Sequence, residues 1–328
     1  MDWILADFMG QPLWMWLGFL AFVLVLLVLD LGVLSARSHH IDVAQSMKLS
    51  AFYIAMGIAF GGFIWWRLGH DAAILYLTGY VVEESLSLDN IFVIALIFGY
   101  FQIPQHLQHR ALVYGIIGVV LLRGIMVAAG TAIVDQFHWV LYVFAAFLVY
   151  TGIKMLLSAE EQYDVAGNPV LRFLHKRLPI TEELHGQKFF VRLPRPGDEV
   201  GKTRLYATPL FLALVMVELA DVIFAVDSVP AIFSITTDPY LVFTSNIAAI
   251  LGLRALYFAL SAMLERFILL KYALSAVLVF IGGKILLGEM LGLGKMPPLV
   301  SLVITLAILL SGVIGSLLKT KTHYTKGH

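Results

Sequence analysis

About nine stretches of this chain are apolar for roughly the 20 residues that an α-helix needs to cross ~30 Å of hydrocarbon. They lie near 13–34, 50–66, 73–101, 111–131, 138–157, 206–232, 241–261, 267–288 and 298–318. Composition agrees: 60% of residues are hydrophobic and 13% charged, against about 45–50% and 25% in soluble domains. The fold class expected is an all-α polytopic membrane protein with about nine transmembrane helices. The 22 basic and 22 acidic side chains cancel, so the cationic surface of a nucleic-acid binder is missing. The absence of cysteine excludes disulfides, thiolate metal sites, Fe–S clusters and cysteine nucleophiles.

Lysine and arginine set the expected orientation, because basic residues in short loops stay on the cytoplasmic side. With nine spans and the N-terminus outside, Arg37, Lys48, Arg110, the basic residues of the long loop, Arg266, Lys271 and the tail lysines all fall inside. Only Arg67 and Lys295 fall outside, which gives N-out, C-in. The segment before the first run carries Asp2 and Asp7 and no basic residue, unlike the n-region of a cleaved signal peptide, so that run is expected to remain as a helix. The polar stretch 158–204 is too short for a soluble catalytic domain. Its segments Lys188–Leu193 and Thr203–Tyr206, around Pro194, Pro196, Gly197 and Gly201, read as a β-hairpin.

Two parts of the chain resemble each other. LVYTGIKMLL (148–157) matches LVFIGGKILL (278–287), LRGIMVAAG (122–130) aligns with LRALYFALS (253–261), and EESLSLDNIFV (83–93) mirrors DVIFAVDSVPA (221–231). The organisation expected is an N-terminal two-helix segment (1–72), a first repeat (73–157), a cytoplasmic loop (158–204), a second repeat (205–289), and a ninth span with a basic tail (290–328). An odd number of crossings separates equivalent points, so the repeats are inverted, as in many secondary transporters whose substrate site lies near the midplane. In the second copy Pro230 removes an N–H and disfavours helical angles at Val229. A helix break just after Asp227 is expected, bringing Glu218, Asp221 and Asp227 together.

Carboxylates in hydrocarbon cost at least about 2.5–3.5 kcal/mol each and mark functional sites by default. Asp30, Glu83, Glu84, Asp89, Glu218, Asp221 and Asp227 all lie in or beside apolar runs. Arg123 and Arg254, at equivalent positions of the two copies, supply an alternative reading in which arginine–carboxylate pairs simply join helices. Two guanidinium groups cannot neutralise so many carboxylates, and Lys154 and Lys284, near span ends, are expected to snorkel. Carboxylates with Asn90, Ser228 and Asn246 make an all-oxygen site suited to Mn²⁺, Ca²⁺ or Mg²⁺. The ten histidines lie mostly in loops or the tail, where solvated side chains are expected. No phosphate-binding glycine loop is present, so direct ATP driving is not expected.

The stretches LDLG (29–32), TGYVVEESLSLDNIFV (78–93), LVYGIIG (112–118) and VELADVIFAVDSVPAIFSITTDPYLVFTSNIAAILGLRALYF (217–258) closely resemble the TerC family of integral membrane proteins, most of all its Alx type. The resemblance spans about residues 13–318. It implies a bacterial inner-membrane protein, with Alx-type members associated with manganese export. The family's acidic positions fall here on Glu83, Asp89 and Asn90, on Glu218, Asp221, Asp227 and Ser228, and on Asp30. Glu84 stands where relatives commonly carry lysine.

The expected function is a secondary transporter rather than an enzyme: an exporter of Mn²⁺ as substrate, coupled to protons, with no organic cofactor. Asp89, Asp221 and Asp227 are the expected central ligands, with Glu83 and Glu218 as further ligands or proton carriers. Asp30, Glu84, Arg123, Arg254 and Asn246 are supporting candidates. Partners expected are the lipid bilayer and the ion, and no nucleic acid. The alternatives are a Ca²⁺ exchanger using the same site, or a membrane-protein assembly or stress-resistance factor holding a structural metal.

Overall fold

The computed structural model describes residues 5–29, 43–157, 165–194, 203–260, 269–290 and 296–325. After a small antiparallel pair, β1 (Asp7–Phe8) and β2 (Gln11–Pro12), come α1 (Leu13–Leu29), α2 (Val43–Leu68), α3 (His70–Tyr100), α4 (Gln105–Gln136) and α5 (Val140–Leu157). Helix α6 (Pro169–Arg177) and strands β3 (Phe190–Pro194) and β4 (Thr203–Ala207) lead to α7 (Pro209–Phe233), α8 (Pro239–Leu260), α9 (Leu270–Met290) and α10 (Pro298–Thr325). Six stretches, within α2, α4, α5, α7, α9 and α10, are long and apolar enough to cross a membrane, whereas α1 and α8 contribute shorter apolar helices. Helix α3 is equally long, and Asp71, Glu83, Glu84 and Asp89 keep it out of that set. In lipid a helix is favoured because it satisfies its backbone polar groups within itself.

The distribution of side chains is that of a bilayer protein. Large apolar groups point outward, among them Leu24, Trp66, Leu121, Ile125, Tyr150 and Leu157. Buried inside are Glu83, Asn90, Arg123, Asp221, Ser228 and Asn246. Soluble monomers rarely expose such extensive apolar surface.

Helix α3 packs against α2, α7, α8 and α10, α4 against α7 and α8, and α5 against α7 and α9. Each helix of the stretch α3–α5 therefore touches its counterpart in α7–α9. The α5–α9 contact is reciprocal. A Cβ on Gly152 would meet Val279 and the Ser275 carbonyl oxygen, 2.7 and 2.9 Å away, and one on Gly282 would meet Val149 at 2.9 Å and the Ala145 carbonyl oxygen. Residues 145, 149 and 152 align with 275, 279 and 282, so one contact is made twice, with the helices antiparallel. The Ser275 hydroxyl donates to the Gly152 carbonyl oxygen across the same interface.

Helix α7 departs from expectation. It runs unbroken from Pro209 to Phe233, with Pro230 in its last turn. There the missing N–H deprives only the Val226 carbonyl of an acceptor bond. The proline helps end the helix instead of interrupting it beside Asp227.

Residues 165–194 and 203–208 form a cap. β3 pairs antiparallel with β4, Val191 opposite Tyr206, and Ala207 N–H donates to the Pro179 carbonyl. Arg110 of α4 donates to Gln187 Oε1 at 2.8 Å, and its guanidinium lies over the Tyr114 and Phe189 rings. The cap's Val165 and Leu171 share one apolar cluster with Leu107, Leu210 and Leu212 of the long helices and Ile103 of the α3–α4 connection.

The glycine contact yields an internal comparison. Gly282→Ala places a methyl against backbone that cannot turn aside, and overpacking of this kind costs about 1–3 kcal/mol. Gly283, with nothing near its would-be Cβ, is the control, where alanine should be neutral or slightly stabilising. Thermal unfolding in detergent should show a lower midpoint for Gly282→Ala and no fall for Gly283→Ala.

Candidate functional site

Four helices bring a cation and four oxygen-bearing side chains together. At about 100° per residue, Ser228 falls within about 20° of Asp221 on α7, Glu218 about 60° away, and Asp227 about 120° away. Asp221 and Ser228 thus face α4, where Arg123 is 1% exposed. The guanidinium presents Nε and Nη2 to the two oxygens of Asp221, each at 3.3 Å. Its Nη1 lies 2.7 Å from Glu83 Oε1 of α3, 2.7 Å from Ser228 Oγ and 2.7 Å from Asn246 Oδ1 of α8. Glu83 and Asn246 are each 0% exposed.

Nη1 carries two hydrogens and faces three oxygens. Ser228 and Asn246 accept directed hydrogen bonds from it, and Glu83 Oε1 is held by the ion pair. Two carboxylates also confront one guanidinium. Nη1 thus meets more acceptors than it has hydrogens, and the ring carries one formal negative charge more than its cation cancels.

Beside it lies a cavity of about 30 Å³ lined by Asn90, Asp221, Gly115, Leu112, Val119 and Phe224, among others, large enough for about one water. Asn90 is 4% exposed, and its Oδ1 has no partner. Glu218 also faces α4, where its carboxylate rests on Gly115 and Gly118: a Cβ on Gly115 would lie 3.2 Å from Oε1, and one on Gly118 would collide with the group. Both oxygens of Glu218 are buried without a partner.

The remaining residues lie elsewhere. Glu84 turns from the ring toward α8, its Oε1 lying 3.6 Å from where a Gly252 Cβ would stand. Asp227 faces α5 and accepts from the Thr151 hydroxyl at 3.4 Å. The expected convergence of Glu218, Asp221 and Asp227 therefore does not occur, because the unbroken helix fixes their angular separation. Among the described residues no three histidine, aspartate or glutamate side chains assemble as a metal-binding group. Asp30 and the side chains of Asp89 and Arg254 lie outside the described residues. Lys284 does not snorkel. It donates to Ser301 of α10 at 2.9 Å. Gly115 and Gly118, part of the LVYGIIG stretch, escaped notice as site residues. Their small size at i, i+3 on one helix was the available signal.

Comparison with known proteins agrees with this architecture. The profile of the integral membrane protein TerC family matches residues 68–324. An uncharacterised membrane protein of Myxococcus xanthus is 42% identical over 312 residues, covering 95% of this chain and 94% of that protein. The candidate membrane-bound redox modulator Alx of Salmonella typhi is 46% identical over 287 residues, 85% of this chain and 86% of its own length. Its Escherichia coli K12 counterpart is 44% identical over 287 residues, covering 85% and 87%. No solved structure matches. With most of its length matched by the family profile and by relatives of similar length, this chain belongs to the TerC family of integral membrane proteins.

Proposed function

We propose that this protein is a secondary transporter that carries a divalent metal cation, Mn²⁺ foremost, across a bacterial inner membrane, held in transit by Glu83, Asp221, Ser228 and Asn246. One observation carries the reading: Nη1 of Arg123 meets three oxygens with two hydrogens, and two carboxylates face its single charge. A hard cation has no such limit, since it accepts as many oxygen ligands as geometry permits. Its two charges would also cancel both carboxylates. Asn90, in the adjoining cavity beside Asp221, is a further oxygen ligand on the access path.

Oxygen ligands alone discriminate weakly between Mn²⁺ and Ca²⁺. The name of the Alx relatives, candidate redox modulators, favours manganese, because manganese changes oxidation state and calcium does not. The cysteine-free chain has no thiol with which to act instead. Carboxylates that release protons on binding metal and regain them afterward provide exchange of the ion for protons. The distribution of loop lysines and arginines supports an N-out, C-in orientation. The reciprocal α5–α9 contact is what an inverted pair of three-helix units would make, and the midplane site of such carriers corresponds to the buried ring.

Purified protein in proteoliposomes should carry Mn²⁺ faster when an opposing proton gradient is imposed, with Ca²⁺ competing weakly. Flux no greater than in protein-free vesicles would refute the reading and leave the assembly-factor alternative standing. Glu83→Gln and Asp221→Asn should each abolish flux, whereas Asp227→Asn, outside the ring, should slow it and leave Mn²⁺ affinity unchanged. Titration of Mn²⁺ binding alongside flux separates the two effects.

A further inference from the structure

Glu218 has no role in the arrangement described so far, yet its environment is specific. Both of its carboxylate oxygens are buried and unpartnered, a state too costly for an ionised group unless a cation reaches it. It lies one turn from Asp221 on α7, roughly 4.5 Å along the axis. It rests on Gly115 and Gly118 of α4, the same helix that carries Arg123. Helical side chains lean toward their helix N-terminus, so the Arg123 side chain leans toward this glycine stretch.

The geometry points to a two-position arginine: the Arg123 guanidinium occupies the ring between Glu83 and Asp221 while the carrier is empty, and moves about one helical turn to Glu218 when the divalent cation arrives. This inference rests on the transport reading and adds to it a competitor tethered to the protein. Arginine suits the task, because its charge is permanent and its planar fork can pair with either carboxylate side-on. The ring sets three oxygens around the two hydrogens of Nη1, and Glu218 offers the next carboxylate along α7. Gly115 and Gly118 let the Glu218 carboxylate lie directly against α4, on the helix that carries Arg123. Substrate binding then exchanges one cation for another within the membrane, and the ring is not left bare when the ion departs.

A double-mutant cycle on Mn²⁺ affinity tests this, with calorimetric titration of the full-length protein in detergent. Arg123→Gln removes the competitor and should tighten binding, on the order of tenfold for a shift of about 1.4 kcal/mol. Glu218→Gln removes the second station and should weaken binding by a similar factor in the wild-type background, while having little effect when Arg123 is already glutamine. Equal weakening in both backgrounds would make Glu218 a direct ligand and overturn the proposal. Arg123→Gln binding no tighter than a wild type that does carry Mn²⁺ would also overturn it and leave the transport reading intact. A wild type that neither binds nor carries a divalent cation removes both. Should Arg123→Gln fail to fold, Arg123→Lys retains the charge without the fork or the reach, and the effect of Glu218→Gln should shrink in that background; an undiminished effect counts against the two-position arginine.

Discussion

A permanent charge enclosed by hydrocarbon-spanning helices must be matched where it lies, and in this protein that requirement falls on the guanidinium of Arg123. Removing one partner from a buried pair typically costs about 3–5 kcal/mol, because the other charge is stranded. Here α3, α7 and α8 each place an oxygen on one group of α4. The contact therefore fixes four helices relative to one another, and their rotations follow from it. Asp221 and Ser228 face α4, which turns Asp227 toward Thr151 of α5 and leaves Glu218 against the glycines of α4.

The apolar runs near 13–34, 50–66, 73–101 and onward announced the long helices because length and apolarity are local properties of sequence. The carboxylates that matter were equally visible, since each interrupts an apolar run. Which of them meet depends on helix rotation and on continuity, and neither is local. Pro230 illustrates the difficulty: a proline within an apolar run reads as a break, yet three residues before a helix end it costs little, and the angular relation between Asp221 and Asp227 is preserved. Lys284 likewise reads as an interfacial residue until Ser301, distant in sequence, is found beside it. The pairing of Arg123 with carboxylates was anticipated as an alternative to a metal cluster, and the structure contains that pairing.

The α5–α9 interface shows a second constraint, close approach of backbones. Membrane helices associate through packing and interhelical hydrogen bonds more than through apolar burial, so small residues at the crossing matter. Gly152 and Gly282 let the two helices meet at the level of their carbonyl groups, and Ser275 adds a hydrogen bond to that contact. Because the same approach occurs twice, the pair ties together the two parts of the chain that resemble each other in sequence. Charge matching and backbone contact thus act on different helices of the same assembly.

The cap has no interior of its own: Val165 and Leu171 complete their packing on Leu210 and Leu212 as well as on Ile103 and Leu107. Its residues emerge from the ribosome before α7 does. Part of the surface they pack on does not yet exist when they are synthesised, so that packing is completed only when α7 is in place. Closure of the cap therefore waits on α7, and a chain whose α7 failed to dock would leave Val165 and Leu171 without part of their apolar cover.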